Sequence, residues 1–171
     1  MEHLTALVRD VPDFPTPGIL FRDITPVLAD VALLRRAVEA LGAAFEGRGV
    51  THVAAVESRG FIFGAPIALH LGVGLVPVRK VGKLPHRTER IDYALEYGTS
   101  ALEMHADALQ PGDRVLVVDD LLATGGTAAA AAALVRRLGA EVAGHAFLVT
   151  LSALGGAARL APAPVESLVT Y

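Results

Sequence analysis

Short apolar runs alternate along the chain with longer stretches in which apolar residues recur every three or four positions, and this predicts an α/β domain with a largely parallel central sheet. "VALLRRAVEALGAAFEGRG" (Val31 to Gly49) has helical periodicity and stops on glycines. "THVAAVE" follows as a strand, "GFIFGAPIALHLG" as a helix and "VGLVPVRK" as the next strand. "RVLVVDD" and "EVAGHAFLVTL" read as two further strands on either side of one helix, "TAAAAAALVRRLG" (Thr127 to Gly139). The alanine run Ala128 to Ala133 suits that helix, because alanine is the best helix former and lets a helix lie close to a sheet. The opening "VPDFPTPGILFRDITP" is rich in proline yet too apolar for a disordered tail, so it predicts an ordered loop lying across the domain. With no internal repeat and no linker rich in Pro, Gly or Ser, one domain over residues 1–171 is expected.

Composition narrows the picture. Hydrophobic residues make up 53% of the chain, but many are alanine, and no run approaches the ~18 apolar residues that a membrane span needs. The start "MEHLTALVRDVPDF" has neither the basic opening nor the apolar core of a targeting peptide, and Cys 0 removes disulfides, thiolate nucleophiles and cysteine metal sites. A cytoplasmic protein without membrane contact is expected. The net charge of −3 supplies no general attraction to nucleic acid, so any anion site must be local. The six histidines show no metal-ligand spacing, and Phe61 and Phe63 are expected in the core.

One stretch combines opposite chemistries. In "VLVVDDLLATGGT" (Val115 to Thr127), a strand ending at Val118 and a helix beginning near Thr127 place "DDLLATGGT" outside the strand's carboxyl end, where open α/β sheets bind ligands. The glycines let backbone N–H groups converge, the helix N-terminus adds partial positive charge, and Thr124 and Thr127 add hydroxyl donors. This is a monophosphate cradle. It lacks the Walker lysine and the G-x-G-x-x-G spacing. Asp119 and Asp120 precede it, placed to accept hydrogen bonds from neighbouring sugar hydroxyls, so the predicted ligand is a ribose phosphate. A receiver domain also begins with a strand and an acid pair, but it needs about 100 further residues, and only 51 follow Asp120.

Two basic features accompany the cradle. In "VRKVGKLPHRTER", Arg79, Lys80, Lys83, Arg87 and Arg90 place five of the 15 basic residues in twelve positions, a local polyanion site. In "VESRGF" (Val56 to Phe61), Arg59 at a strand end suits a bidentate grip on phosphate, although Glu57 could instead pair with it.

Together these residues resemble the type I phosphoribosyltransferases, and within them the branch that uses adenine. The resemblance covers most of the chain, through "DFPTPGILFRDITPVL", "ESRGFIFGAPIAL", "VPVRKVGKLP", "LEYGTSALEMH" and "VLVVDDLLATGGT". It departs from the family pattern at Val81, where a basic residue is frequent. The resemblance implies the type I fold, a mostly parallel central sheet flanked by helices, with residues 1–30 as a base-binding hood, residues 31–171 as the core, and a flexible catalytic loop. It implies transfer of the 5-phosphoribosyl group from 5-phospho-α-D-ribose 1-diphosphate (PRPP) to N9 of adenine, giving AMP and pyrophosphate. It also implies a homodimer.

Position by position, the resemblance gives Asp119 and Asp120 to the ribose hydroxyls, and Ala123, Thr124, Gly125, Gly126 and Thr127 to the 5-phosphate. Glu57, Ser58, Arg59, Lys80 and Lys83 fall to the pyrophosphate, with a cis Glu57–Ser58 peptide. Leu20, Phe21, Arg22 and Leu121 fall to adenine, Phe21 by stacking and Leu20 and Arg22 largely through backbone groups. Glu96 and Tyr97 fall to the flexible loop. Glu96, Arg59, Asp119 and Asp120 are the implied catalytic set, Glu96 serving the proton at adenine N7. Mg²⁺ would be held mainly by substrate oxygens, close to Asp119 and Asp120.

Two alternatives share the cradle. A hypoxanthine-guanine or orotate enzyme would differ around Phe21 and Arg22. A PRPP-sensing DNA regulator would need a DNA-binding module, yet only about 50 residues precede the first predicted strand, with no basic recognition helix.

Overall fold

The computed structural model describes residues 8–95 and 98–171. The proline-rich opening is not a loop but a two-stranded antiparallel hairpin, β1 (Arg9–Pro12) and β2 (Leu20–Asp23), followed by a short helix α1 (Thr25–Ala29). The reversal comes from polar turn chemistry. Asp13 adopts a left-handed conformation (φ 58) and its Oδ1 accepts the Gly18 N–H at 2.7 Å, which folds Pro15 and Pro17 into the turn, while Pro12 pairs with Leu20 at the end of β1. The segment departs from the expected loop because two of its prolines occupy the bend and leave the flanking residues free to pair.

Helix α2 (Val31–Ala43) starts at Asp30, whose carboxylate accepts the Ala32 and Leu33 N–H groups. Beyond it lie β3 (His52–Val56), α3 (Gly60–Leu71), β4 (Gly74–Lys80), β5 (Thr88–Leu95), β6 (Gly98–His105), β7 (Arg114–Leu122), α4 (Gly126–Arg137), β8 (Glu141–Thr150), α5 (Gly156–Arg159) and β9 (Val165–Thr170). Seven strands form one sheet in the order β5-β6-β4-β3-β7-β8-β9. Its centre, from β4 through β9, is parallel, while β5 and β6 form an antiparallel edge. The predicted helices and strands after residue 30 are therefore present, with helices on both faces.

The central strands are buried on both sides, and successive side chains go to opposite faces. Val53, Leu116, Val118 and Leu148 pack with Phe63 and Ile67 of α3 and Leu41 of α2. Ala54, Val56, Val115 and Val117 pack with Ala130, Ala131 and Leu134 of α4. The alanine run thus lies on the sheet, as its small side chains predict. Strand β7 does not stop at Val118: Asp119 and Leu121 stay in register with Phe147 and Val149 of β8, so the ladder carries the acidic pair to its end.

His145 is the one fully buried histidine on these strands, stacked on Phe147 at 6.4 Å, and among the described residues neither ring nitrogen has a hydrogen-bond partner. Burial, with a smaller contribution from Arg136, pushes its pKa down from 6.5 to about 4. The unfolded chain therefore binds the extra proton between these values, so this contribution is complete above pH 6.5 and is lost as pH falls toward 4, by up to about 3 kcal/mol. Urea unfolding at pH 7 and pH 4.5 should show His145→Leu losing less stability than the wild-type chain. Equal losses would remove His145 as an acid-sensitive group.

Candidate active site

The chain leaves β3 through α3 to β4 on one side, and β7 lies on the other, so the strand order reverses between β3 and β7. Ligands in open α/β sheets bind at such a point, outside the carboxyl ends of the strands. Residues following Val56 and Val118 meet there, because β3 and β7 are parallel with Ala55 opposite Val118. Val78 of β4 is opposite Val56, which brings Arg79 and Lys80 to the other flank of the same opening.

Two adjoining cavities occupy this place. One of about 360 Å³ is lined by Glu57, Ser58, Arg59, Lys80, Tyr93, Ser100, Leu102, Asp119, Asp120 and Thr127. The other, about 210 Å³, is lined by Arg59 and by residues 119–128. Arg59, Asp119, Asp120 and Thr127 belong to both, so the acid pair stands between a basic chamber and a glycine-rich one.

Helix α4 begins at Gly126 with Gly125 as its N-cap, and no side chain caps it, which leaves the first N–H groups open toward the smaller cavity. Gly125 has φ +79, and a Cβ there would stand 2.7 Å from the Gly156 carbonyl oxygen. The cradle therefore needs glycine twice over, for its conformation and for the backbone packed behind it. The Thr127 hydroxyl lies 3.3 Å from that of Tyr93 on β5, which ties the cradle to the antiparallel edge.

At the strand end, Asp120 is 5% exposed and its Oδ2 pairs with Arg59 Nε, while the Asp120 N–H donates to Asp119 Oδ1 at 2.8 Å. Burial, then the neighbouring Asp120 charge, push the Asp119 carboxyl well above the ordinary aspartate range, against a smaller pull from Arg59. Gly60, at the start of α3, permits this contact: a Cβ there would be 2.8 Å from the Val118 carbonyl oxygen and 3.0 Å from Asp119 Oδ1.

The basic chamber is organised by Glu57. Its side chain is only 7% exposed and accepts Arg79 Nε at 3.2 Å, the Lys80 N–H at 3.0 Å and Lys83 Nζ. Burial works to raise this carboxyl, but Lys83, the Lys80 N–H and Arg79 outweigh it and hold the group below the ordinary glutamate range. Glu57 thus pairs with Arg79 and Lys83, and Arg59 pairs with Asp120, in place of the Glu57–Arg59 pair that the sequence left open. The Glu57–Ser58 peptide is cis.

The rest of the basic run disperses. Arg90 pairs with Asp92 on β5 at 2.6 Å, and His86 lies 3.8 Å from Asp107. Lys83 lies outside the lining of both cavities but reaches the wall of the larger one through Glu57. Of the four residues expected at the base, Leu121 lines the smaller cavity. Leu20, Phe21 and Arg22 line neither; Phe21 is edge-on to Phe14 at 5.2 Å and lies 5.8 Å from the Arg59 guanidinium. Arg22 pairs with Asp10 and stands 3.6 Å over the Tyr171 ring, pinning the hairpin to the chain's last residue. Glu96 and Tyr97 lie outside the described residues. Tyr93, Ser100 and Gly156 carry no local signal in the sequence that distinguishes them from ordinary strand and turn residues.

The site therefore sets an acid pair between an uncapped, glycine-rich helix start and a basic cluster caged by Glu57. The family model for the phosphoribosyl transferase domain matches residues 28–162, and this chain belongs to that family. Its relatives include the adenine phosphoribosyltransferase of Methylococcus capsulatus, 58% identical over 171 residues and covering 100% of both chains. The crystal structure of adenine phosphoribosyltransferase from Thermoanaerobacter pseudethanolicus superposes with a TM-score of 0.96 at 50% identity, over 99% of each chain. That of the Saccharomyces cerevisiae enzyme, complexed with an imino-altritol bisphosphate and adenine, gives a TM-score of 0.91 at 40% identity, over 97% of this chain and 96% of that one.

Proposed function

We infer that the chain transfers the 5-phosphoribosyl group of PRPP to N9 of adenine, releasing pyrophosphate and AMP, a reaction of purine salvage. The observation that carries this reading is the shared wall of the two cavities, Arg59, Asp119, Asp120 and Thr127, with the cradle on one side and the Glu57 cluster on the other. A ligand spanning them needs a monophosphate, vicinal hydroxyls and a second polyanion. PRPP carries all three.

The bond from C1 of the ribose to pyrophosphate breaks, the bond to N9 forms, and the sugar passes through a transition state with oxocarbenium character. No protein nucleophile is required. The 5-phosphate sits on the N–H groups of residues 123–127, and the ribose hydroxyls donate to Asp119 and Asp120. Arg59, Lys80 and Lys83 stabilise the charge gathering on the leaving pyrophosphate. Leu20, Phe21, Arg22 and Leu121 hold adenine, Phe21 through its face, and residues 1–30 form a hood over the core of residues 31–171. Glu96 manages the proton at adenine N7, and closure over Glu96 and Tyr97 excludes water from the activated sugar.

The donor set fits Mg²⁺ held mainly by substrate: two adjacent carboxylates lie beside the cradle, and no cluster of three metal-ligating side chains occurs among the described residues. The ion would neutralise charge on the pyrophosphate and ribose oxygens. We place the protein in the cytoplasm as a homodimer, for which Ile62 and Leu69 of α3, 39% and 83% exposed, offer apolar surface.

Pyrophosphate release, measured with PRPP and Mg²⁺ against adenine, hypoxanthine, guanine and orotate, tests the reading, with light scattering on the same sample giving the mass in solution. Release with adenine alone, accompanied by AMP, is expected. Release with another base would keep the cradle and overturn the role of Phe21 and Arg22, and PRPP binding without turnover would favour a sensor.

A further inference from the structure

Glu103 lines neither cavity, yet it is among the few charged side chains in the core, 4% exposed. It lies on β6 opposite Arg79 of β4. Its Oε1 accepts the Lys83 N–H at 2.9 Å and the Leu84 N–H at 3.0 Å, and its Oε2 accepts the Thr88 hydroxyl at 3.4 Å. Among the described residues no cationic side chain pairs with it. A buried charge must be compensated, and here the compensation comes from the backbone of one turn, so the charge and the shape of that turn depend on each other. Burial works to raise the carboxyl, but the N–H groups of Leu84, Lys83 and Gly82 and the Thr88 hydroxyl outweigh it and keep the group ionised at neutral pH.

The turn matters because it carries Lys83. The Lys83 N–H is held by Glu103, its carbonyl oxygen accepts Arg79 Nη1 at 3.3 Å, and its ammonium pairs with Glu57 at the wall of the larger cavity. Glu103 fixes the root of this side chain and Glu57 holds its tip.

We propose that Glu103 is a positioning residue for the pyrophosphate end of PRPP, setting through the Lys83 and Leu84 N–H groups the turn from which the Lys83 ammonium reaches the leaving group. This rests on the reading that the chain binds PRPP with Lys83 at its pyrophosphate. AMP uses the cradle and the base side but not this end, so the two ligands separate a positioning role from a structural one.

Calorimetric titration with AMP and, without adenine, with PRPP and Mg²⁺ tests it. Glu103→Ala should weaken PRPP binding about tenfold or more and leave AMP binding within about twofold, the size expected for losing hydrogen bonds to a charged acceptor. Glu103→Gln keeps an acceptor oxygen and should recover PRPP binding to within about threefold of wild type. Equal binding of PRPP by wild type and Glu103→Ala overturns the proposal, as does a parallel loss of AMP binding, which would mark a structural carboxylate. If the alanine variant does not fold, Glu103→Asp decides in the same way, because it keeps the charge but withdraws the oxygens from the turn. A wild-type chain that binds AMP but no PRPP would instead overturn the functional reading, and the proposal with it.

Discussion

Asp119→Asn is expected to melt at a higher temperature than the wild-type chain at pH 7.5 while its kcat/KM falls roughly 10- to 100-fold, the range for losing a charged hydrogen-bond acceptor. The two effects share one cause. The Asp119 carboxyl is held well above the ordinary aspartate range by burial and by the Asp120 charge, so ionising it works against folding. Since its folded value lies above its unfolded one, the contribution to stability is complete below pH 4 and is lost as pH rises through the folded value. The amide carries no charge and can still accept the Asp120 N–H, which now bonds to Asp119 Oδ1 at 2.8 Å. The advantage of the variant should therefore shrink as pH falls toward 4. On the proposed ribose-binding role of Asp119, turnover should fall because the amide is a weaker acceptor for a hydroxyl. Replacing Asp119 and Asp120 together should cost on the order of 10³-fold, and full activity in that double variant would end the ribose-hydroxyl assignment. A lower melting temperature for Asp119→Asn would show that the carboxylate stabilises the strand end through Arg59.

Gly125→Ala should damage the cradle through both strain and clash. It forces an L residue into φ +79 and drives its Cβ to 2.7 Å from the Gly156 carbonyl oxygen and 3.2 Å from the Gly156 Cα, both backbone atoms that cannot rotate away. Strain and clash together should cost roughly 2 to 4 kcal/mol of folding stability. The loop must shift to relieve them, so AMP affinity should fall on the order of 100-fold, as expected when several N–H groups lose alignment with one phosphate. Gly112→Ala is the control. It has φ +96 with nothing within 4 Å of the added atom, so it should lose about 1 kcal/mol and keep its affinity for AMP. Denaturant unfolding and AMP titration of the two variants separate backbone strain from loss of the site. Wild-type AMP affinity in a folded Gly125→Ala protein would move the 5-phosphate elsewhere.

The sequence by itself determined the alternating strands and helices of the sheet core, because burial on both faces demands continuous apolar strands such as Val115 to Val118, and helix packing demands small residues such as Ala130 and Ala131. The glycine-rich turn after a strand that ends in two acids was legible in the sequence too, because it is confined to a few consecutive residues. The hairpin of residues 9–23 escaped it, since the turn depends on one side-chain bond from Asp13 that the prolines conceal. Only the tertiary structure decided how the charges pair. Glu57 takes Arg79 and Lys83, Arg59 takes Asp120, and Glu103 takes a turn 20 residues before it, partners chosen by strand order and register rather than by proximity along the chain. Coulomb attraction and desolvation act through space, and the sheet order that brings β3, β4, β6 and β7 side by side is a property of the whole fold.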